Sequence, residues 1–155
     1  MDKEEEIRQG LIKNFNVPEE KAWVPKQRRV FVEVNIEDFR KVLEYLMKEN
    51  NFDTLCTITG LDYGESIGMI YHLTRQDGIV VNLKTSVPRE NPVIQSIISY
   101  FPAAELYERE VVDLLGAKVE GLPDGSRYPL PDGWPEGQYP LRKDWKSETS
   151  QKEDE

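Results

Sequence analysis

Glu108, Arg109 and Glu110 stand in a row, and Asp113 follows three residues later. Two neighbouring carboxylates can divide acid and base work when their surroundings push their pKa values apart. A carboxylate facing an arginine can instead lock two segments together as a buried ion pair. At about 100° per residue on a helix, Ala103, Leu106, Tyr107, Val111 and Leu114 form one apolar stripe with Glu110 in its middle. An ionised carboxylate on a buried stripe costs roughly several kcal/mol unless it is paired. The pattern therefore predicts a cation for Glu110, with Arg127, Arg142 or Lys143 able to supply it from downstream. Arg109 points elsewhere on the wheel and can pair with Glu105 or Asp113, each four residues away. No nucleophile or metal ligand accompanies Glu110, so a structural role outweighs a catalytic one.

Other chemistries are excluded by scarcity. Cys56 is the one cysteine and His72 the one histidine, which rules out an internal disulfide and leaves too few soft ligands for a zinc or iron–sulfur site in this chain. Cys56, between apolar neighbours, is expected to be a small buried strand residue. His72 is expected on the second side of a sheet or in solvent. The sequence contains no glycine fingerprint for a dinucleotide, no phosphate loop and no serine elbow. With 20 Lys and Arg against 29 Asp and Glu the net charge is -9, and nucleic acid is not expected as a partner. No apolar run approaches the roughly 20 residues of a membrane span, and the start Met-Asp-Lys-Glu-Glu-Glu is the opposite of a signal peptide. A cytosolic location is the expectation.

The elements that would position these groups fit one domain. A chain of 155 residues suits one core of roughly 100 to 150 residues plus a tail. Ile7, Leu11, Ile12 and Phe15 mark a first helix that Asn16-Val17-Pro18 ends. Val30, Val32 and Val34 mark a strand. Asn35 and Asp38 resemble a capping box for a helix over 36–50, carried by Ile36, Phe39, Val42, Leu43, Leu46 and Met47. Strands are expected at 54–61, 67–74 and 79–85, joined by Asp62-Tyr63-Gly64 and Asp77-Gly78 turns. Asn91-Pro92 opens a further helical segment through Val93, Ile94, Ile97 and Ile98. Pro102 restarts a helix that Gly116 ends. The fold class is α+β, two layers, with a small, mostly antiparallel mixed sheet of about four strands packed with helices over residues 1–116.

Composition then changes. Residues 117–146 carry Pro123, Pro129, Pro131, Pro135 and Pro140 among several glycines, which leaves no room for regular helix or inner strand. Structureless stretches longer than about 12–15 residues are uncommon in compact domains and are usually functional or disordered. Tyr128, Leu130, Trp134, Tyr139, Leu141 and Trp145 argue against a solvated tail. Such an arm either wraps its own domain or lies on a partner, where aromatics are the usual anchors. Residues 147–155 read as a polar, frayed tail.

The run Phe101-Pro102-Ala103-Ala104-Glu105-Leu106-Tyr107-Glu108-Arg109-Glu110-Val111-Val112-Asp113-Leu114-Leu115-Gly116 resembles the C subunit of respiratory complex I and its counterpart in energy-converting membrane hydrogenases. Two later runs share the resemblance: Pro129-Leu130-Pro131-Asp132-Gly133-Trp134-Pro135 and Tyr139-Pro140-Leu141-Arg142-Lys143-Asp144. The likeness covers roughly residues 28–146. Where the family usually reads Glu-Gly-His-Pro, this chain has Glu120-Gly121-Leu122-Pro123. Gly137-Gln138-Tyr139-Pro140 also replaces the Gly-His-Pro common in complex I, wording closer to the hydrogenase branch.

The resemblance implies a cofactor-free accessory subunit in the peripheral arm of a membrane-anchored oxidoreductase. Its expected partners are the large catalytic subunit and the iron–sulfur subunit. Iron–sulfur clusters, and nickel–iron in the hydrogenase branch, would sit in those partners. The place is the cytoplasmic side of the membrane, reached only through partner subunits. Glu108, Arg109, Glu110, Asp113 and Gly116 carry over as motif positions of structural and interfacial role, as do Trp134, Tyr139, Pro140, Leu141, Arg142, Lys143 and Asp144. The form found in NADH:quinone oxidoreductase (complex I) proper is the near alternative. A stand-alone protein-binding module, and a small enzyme using Glu110, Asp113 and Arg109 in a cleft, are the more distant ones.

Overall fold

A computed structural model describes residues 1–147. Most of the stretch read as a frayed tail, residues 148–155, lies outside the described residues. In chain order the elements are α1 (Lys3–Phe15), β1 (Ala22–Lys26), β2 (Arg29–Glu33), α2 (Ile36–Lys48), β3 (Thr54–Asp62), β4 (Ser66–Thr74), β5 (Val80–Pro88), β6 (Val93–Gln95), α3 (Ala104–Leu115) and β7 (Lys118–Glu120). Five strands form one sheet in the order β1-β2-β5-β4-β3, and β6 and β7 form a separate parallel pair. Within the large sheet only β2 and β5 run parallel. The architecture is α+β, with five strands in the main sheet rather than about four.

Alternation along the strands separates two faces. Val30, Val32, Ile58, Met69, Tyr71, Leu73, Val81 and Leu83 are buried and form one core with Ile7 and Leu11 of α1, Leu43 and Leu46 of α2, and Val111 and Leu115 of α3. Each such aliphatic side chain contributes about 1.5–3 kcal/mol by leaving water. The other face carries polar groups and a smaller apolar set. There His72 bridges Asn82 Oδ1 at 2.6 Å and Thr59 Oγ1 at 2.8 Å, while Trp23 stacks on Phe31 with ring centroids 5.1 Å apart.

Three sequence expectations are corrected. The segment 93–98, read as helical, instead contributes β6, because Val93–Gln95 pairs with Lys118–Glu120, a contact across the chain that local spacing does not reveal. Cys56 is exposed, not buried: β3 is an edge strand, and a register shift between Leu55 and Thr57 takes Cys56 out of the alternation. Glu110 is the third and is described below. Asn35 does cap α2, but only through its backbone carbonyl, which accepts from Asp38 and Phe39 N–H at 3.1 Å; no side-chain cap bond forms.

Candidate functional site

α3 begins at Ala104 and ends on Gly116, whose φ of 77° places it in the left-handed region. The face it turns to the sheet holds Ala104, Glu108, Val111 and Leu115, roughly 100° from the stripe expected around Glu110. Gly60 of β3 makes the close approach possible. A Cβ there would stand 2.4 Å from Leu115 Cδ1 and 3.5 Å from Val111 Cγ2. The buried carboxylate of the motif is therefore Glu108, at 1% exposure, and Glu110 is only half-buried. Arg127 and Arg142 bond other groups, and Lys143 bonds elsewhere through its backbone N–H.

Glu108 satisfies itself without a cation. Its carboxylate accepts the Ile97 backbone N–H and the Ser96 hydroxyl, both at 2.7 Å, and so pins the segment after β6 to the middle of α3. Burial pushes its pKa up, only partly offset by those two hydrogen bonds. A carboxyl whose folded pKa is raised adds stability that is fully present below its unfolded value, about 4.3, and is lost as pH rises through the folded value. Glu108→Gln should therefore remove this residue's contribution to any loss of stability on raising pH from about 4 to 7. Thermal melts of the two proteins across that range check it.

Beyond the β6–β7 pairing, the arm after α3 is fastened to its own domain at four further points among the described residues. Arg109 Nη2 donates to Glu105 at 3.0 Å and to the Pro123 carbonyl at 2.6 Å. Asp113, buried, accepts Arg127 Nε at 3.2 Å and the Leu130 N–H at 3.1 Å, and Arg127 reaches on to the Trp134 carbonyl at 2.6 Å. Leu141 N–H donates to the Leu114 carbonyl at 3.0 Å and Arg142 Nε to the Leu115 carbonyl at 2.7 Å, closing two of the carbonyls that the helix end leaves open. Arg142 also lies over the Tyr139 ring at 4.6 Å, and both pack against Gly116.

The fourth point is only partly marked in the sequence. Asp62, at the end of β3, accepts Arg89 Nη1 on both oxygens and the N–H groups of Gly64 and Lys143, each at 2.8 Å. Arg89 Nη2 then reaches Asp144 at 2.6 Å. One buried carboxylate so joins the sheet, the segment after β5 and the end of the arm. The Asp62-Tyr63-Gly64 turn signal accounts for the Gly64 bond; nothing local announces Arg89.

The motif residues thus gather around the C-terminal half of α3. Trp134 donates from Nε1 to the Gln138 carbonyl at 2.8 Å and lies 5.8 Å from the Trp145 ring, folding the arm's tip on itself. Pro140 is half-buried, while Leu141 and the side chains of Lys143 and Asp144 are exposed. The strongest acids and arginines here are committed to one another or to backbone. Among the described residues no group of three or more His, Cys, Asp or Glu is placed to hold a metal ion, and no helix is long and apolar enough to cross a membrane.

A helix-backed five-stranded sheet with an irregular arm tied to its last helix defines a small α+β domain, with its motif used for fastening. Residues 32–151 match the family described as respiratory-chain NADH dehydrogenase, 30 Kd subunit, and the chain belongs to that family. It is 32% identical over 142 residues to the C subunit of the F(420)H(2) dehydrogenase of Methanosarcina mazei, covering 90% of this chain and 89% of that one. It is 29% identical to the beta subunit of the membrane-bound hydrogenase of Pyrococcus furiosus, over 77% of this chain and 72% of the relative. Among solved structures, a chain of the membrane-bound sulfane sulfur reductase, an archaeal respiratory membrane complex, superposes with a TM-score of 0.81 at 30% identity, covering 97% of this chain and 89% of that one. The trypsin-resistant fragment of Nqo5 gives 0.66 at 25% identity, over 79% of this chain and 99% of the fragment.

Proposed function

We propose that this chain is a cofactor-free accessory subunit in the peripheral arm of a membrane-anchored oxidoreductase of the energy-converting hydrogenase or related ferredoxin-linked, ion-pumping type. It holds the large catalytic subunit and the iron–sulfur subunit on the cytoplasmic side, and electrons pass through clusters in those partners. The observation that carries this reading is how the motif is used: Glu108, Arg109, Asp113, Arg127 and Arg142 are all consumed in tying the arm and its neighbours to α3. What remains presented is surface, with Tyr128 and Leu141 exposed on the arm. The hydrogenase-like branch is supported by the match to the sulfane sulfur reductase chain, at 30% identity over 97% of this chain and 89% of that one, and by the match to the membrane-bound hydrogenase beta subunit over 77% of this chain.

Purification of the tagged chain from detergent-solubilised host membranes tests the reading. The large and iron–sulfur subunits and the oxidoreductase activity should co-elute with it, while the isolated chain should turn nothing over. Elution of the chain alone from active membranes would overturn it.

A further inference from the structure

Most of the stripe that the sequence marks on α3 faces outward, although its Val111 is buried against the sheet and its Tyr107 packs at the edge of the core. Ala103, Leu106, Tyr107, Glu110 and Leu114 are all exposed or half-buried, with Leu106 at 53% exposure. On one side of the stripe Ala104, Val111 and Leu115 meet the sheet; on the other, Arg109 and Asp113 hold the arm. Leu141, 55% exposed, is bonded through its N–H to Leu114 and extends the apolar surface past the helix end. The helix is thus apolar on two faces, and among the described residues only one of them is covered. In the centre of the other face the Glu110 carboxylate makes no hydrogen bond or ion pair with any described residue.

We propose that this face of α3 is a docking surface for a neighbouring subunit that presents an apolar patch with a lysine or arginine opposite Glu110. The proposal rests on the function proposed above and names the surface through which it is exercised. Charge selects the occupant. A second copy docked about a two-fold axis through this stripe would bring two Glu110 carboxylates together, on chains that each carry a net charge of -9. A partner cation removes that conflict, and the surrounding leucines exclude water from the pair, which is where charge complementarity fixes register. Leu106 and Leu141 supply the apolar contact around it.

The test uses the complex in its host. A photoreactive benzoylphenylalanine replacing Leu106 should crosslink to another subunit of the complex; a product with residues 148–155 of the same chain, or with a second copy, would overturn the assignment. Glu110→Lys should lower recovery of partner subunits by at least about tenfold, Glu110→Gln by less, and the isolated Glu110→Lys chain should melt as the wild type does. Full recovery with Glu110→Lys would also overturn it. If the wild-type chain recovers its partners while both readouts fail, only the α3 surface is wrong. If the wild-type chain recovers no partner, the functional reading falls and this surface with it.

Discussion

Replacing Asp62 by alanine is expected to destabilise the isolated chain by about 3 kcal/mol, the scale for breaking one side of a buried, hydrogen-bonded ion pair. For a chain of this size that is a fall in melting temperature of roughly 6–12 °C. Three partners lose their acceptor at once: the Arg89 guanidinium and the Gly64 and Lys143 N–H groups. The effect should not stay local, because the Lys143 N–H and the Asp144 carboxylate both bond into this network. Arg89 beside Asp62, then the Lys143 and Gly64 N–H groups, hold its carboxyl well below the usual carboxylate range. The sign follows. A depressed folded pKa adds stability that is present above the unfolded value, near 3.9, and is lost as pH falls toward the folded one. Acid titration of stability should therefore be steeper below about pH 4 in the wild type than in Asp62→Asn. Equal slopes would show that the network carries no net energy.

Gly116→Ala is expected to be nearly as damaging, for a different reason. Its φ of 77° costs an L-residue roughly 1–2 kcal/mol, and the added Cβ would lie 2.6 Å from Tyr139 Cε2 and 2.7 Å from Arg142 Nη2. The tyrosine and arginine must move, and with them the bond that closes the Leu115 carbonyl. Gly64→Ala is the matched control: its φ is 88°, yet nothing stands within 4 Å of the added carbon. The excess loss at Gly116 over Gly64, expected at about 1 kcal/mol or more, measures how firmly the arm is seated. Denaturant melts of both variants give it directly, and no excess would mean that the arm yields freely.

Much of this fold is readable from local pattern. The two hairpins joining β3, β4 and β5, the helices α1 and α2, and the Gly116 end of α3 follow from alternation, helical spacing and turn chemistry within short windows. The remainder depends on partners far along the chain. β1 carries Pro25 and a single β-branched residue, Val24, so its pairing with β2 leaves little trace. Val93 and Ile94 fit a helix until Lys118 and Val119 arrive to pair with them. Cys56 follows alternation until a bulge breaks it.

The orientation of α3 is the most instructive departure. A helical wheel shows that a stripe is apolar but not what will cover it. The small Gly60 on β3 and the Ile97 N–H, which donates to Glu108, decide that Glu108 and Leu115 face inward. Glu110, expected to bury itself against a tail arginine, stays at the surface, and Arg127 goes to Asp113. The sequence marks most of the residues that tie the arm. Of their partners, Arg89 and Ser96 carry no mark and Asp62 is marked only as a turn residue, because a bond across the chain has no local signature.

An arm seated on its own domain, presenting a preformed face to a partner, is what this structure adds to the family resemblance. Hydrogen exchange of the isolated chain and of the assembled complex, read at Leu130, Leu141 and Lys143, tests this most directly. These three amides bond to Asp113, the Leu114 carbonyl and Asp62. They should be protected already in the isolated chain, and assembly should add protection across residues 103–114 and 127–145. Exchange of the three at unfolded rates in the isolated chain, or no added protection on assembly, would contradict it.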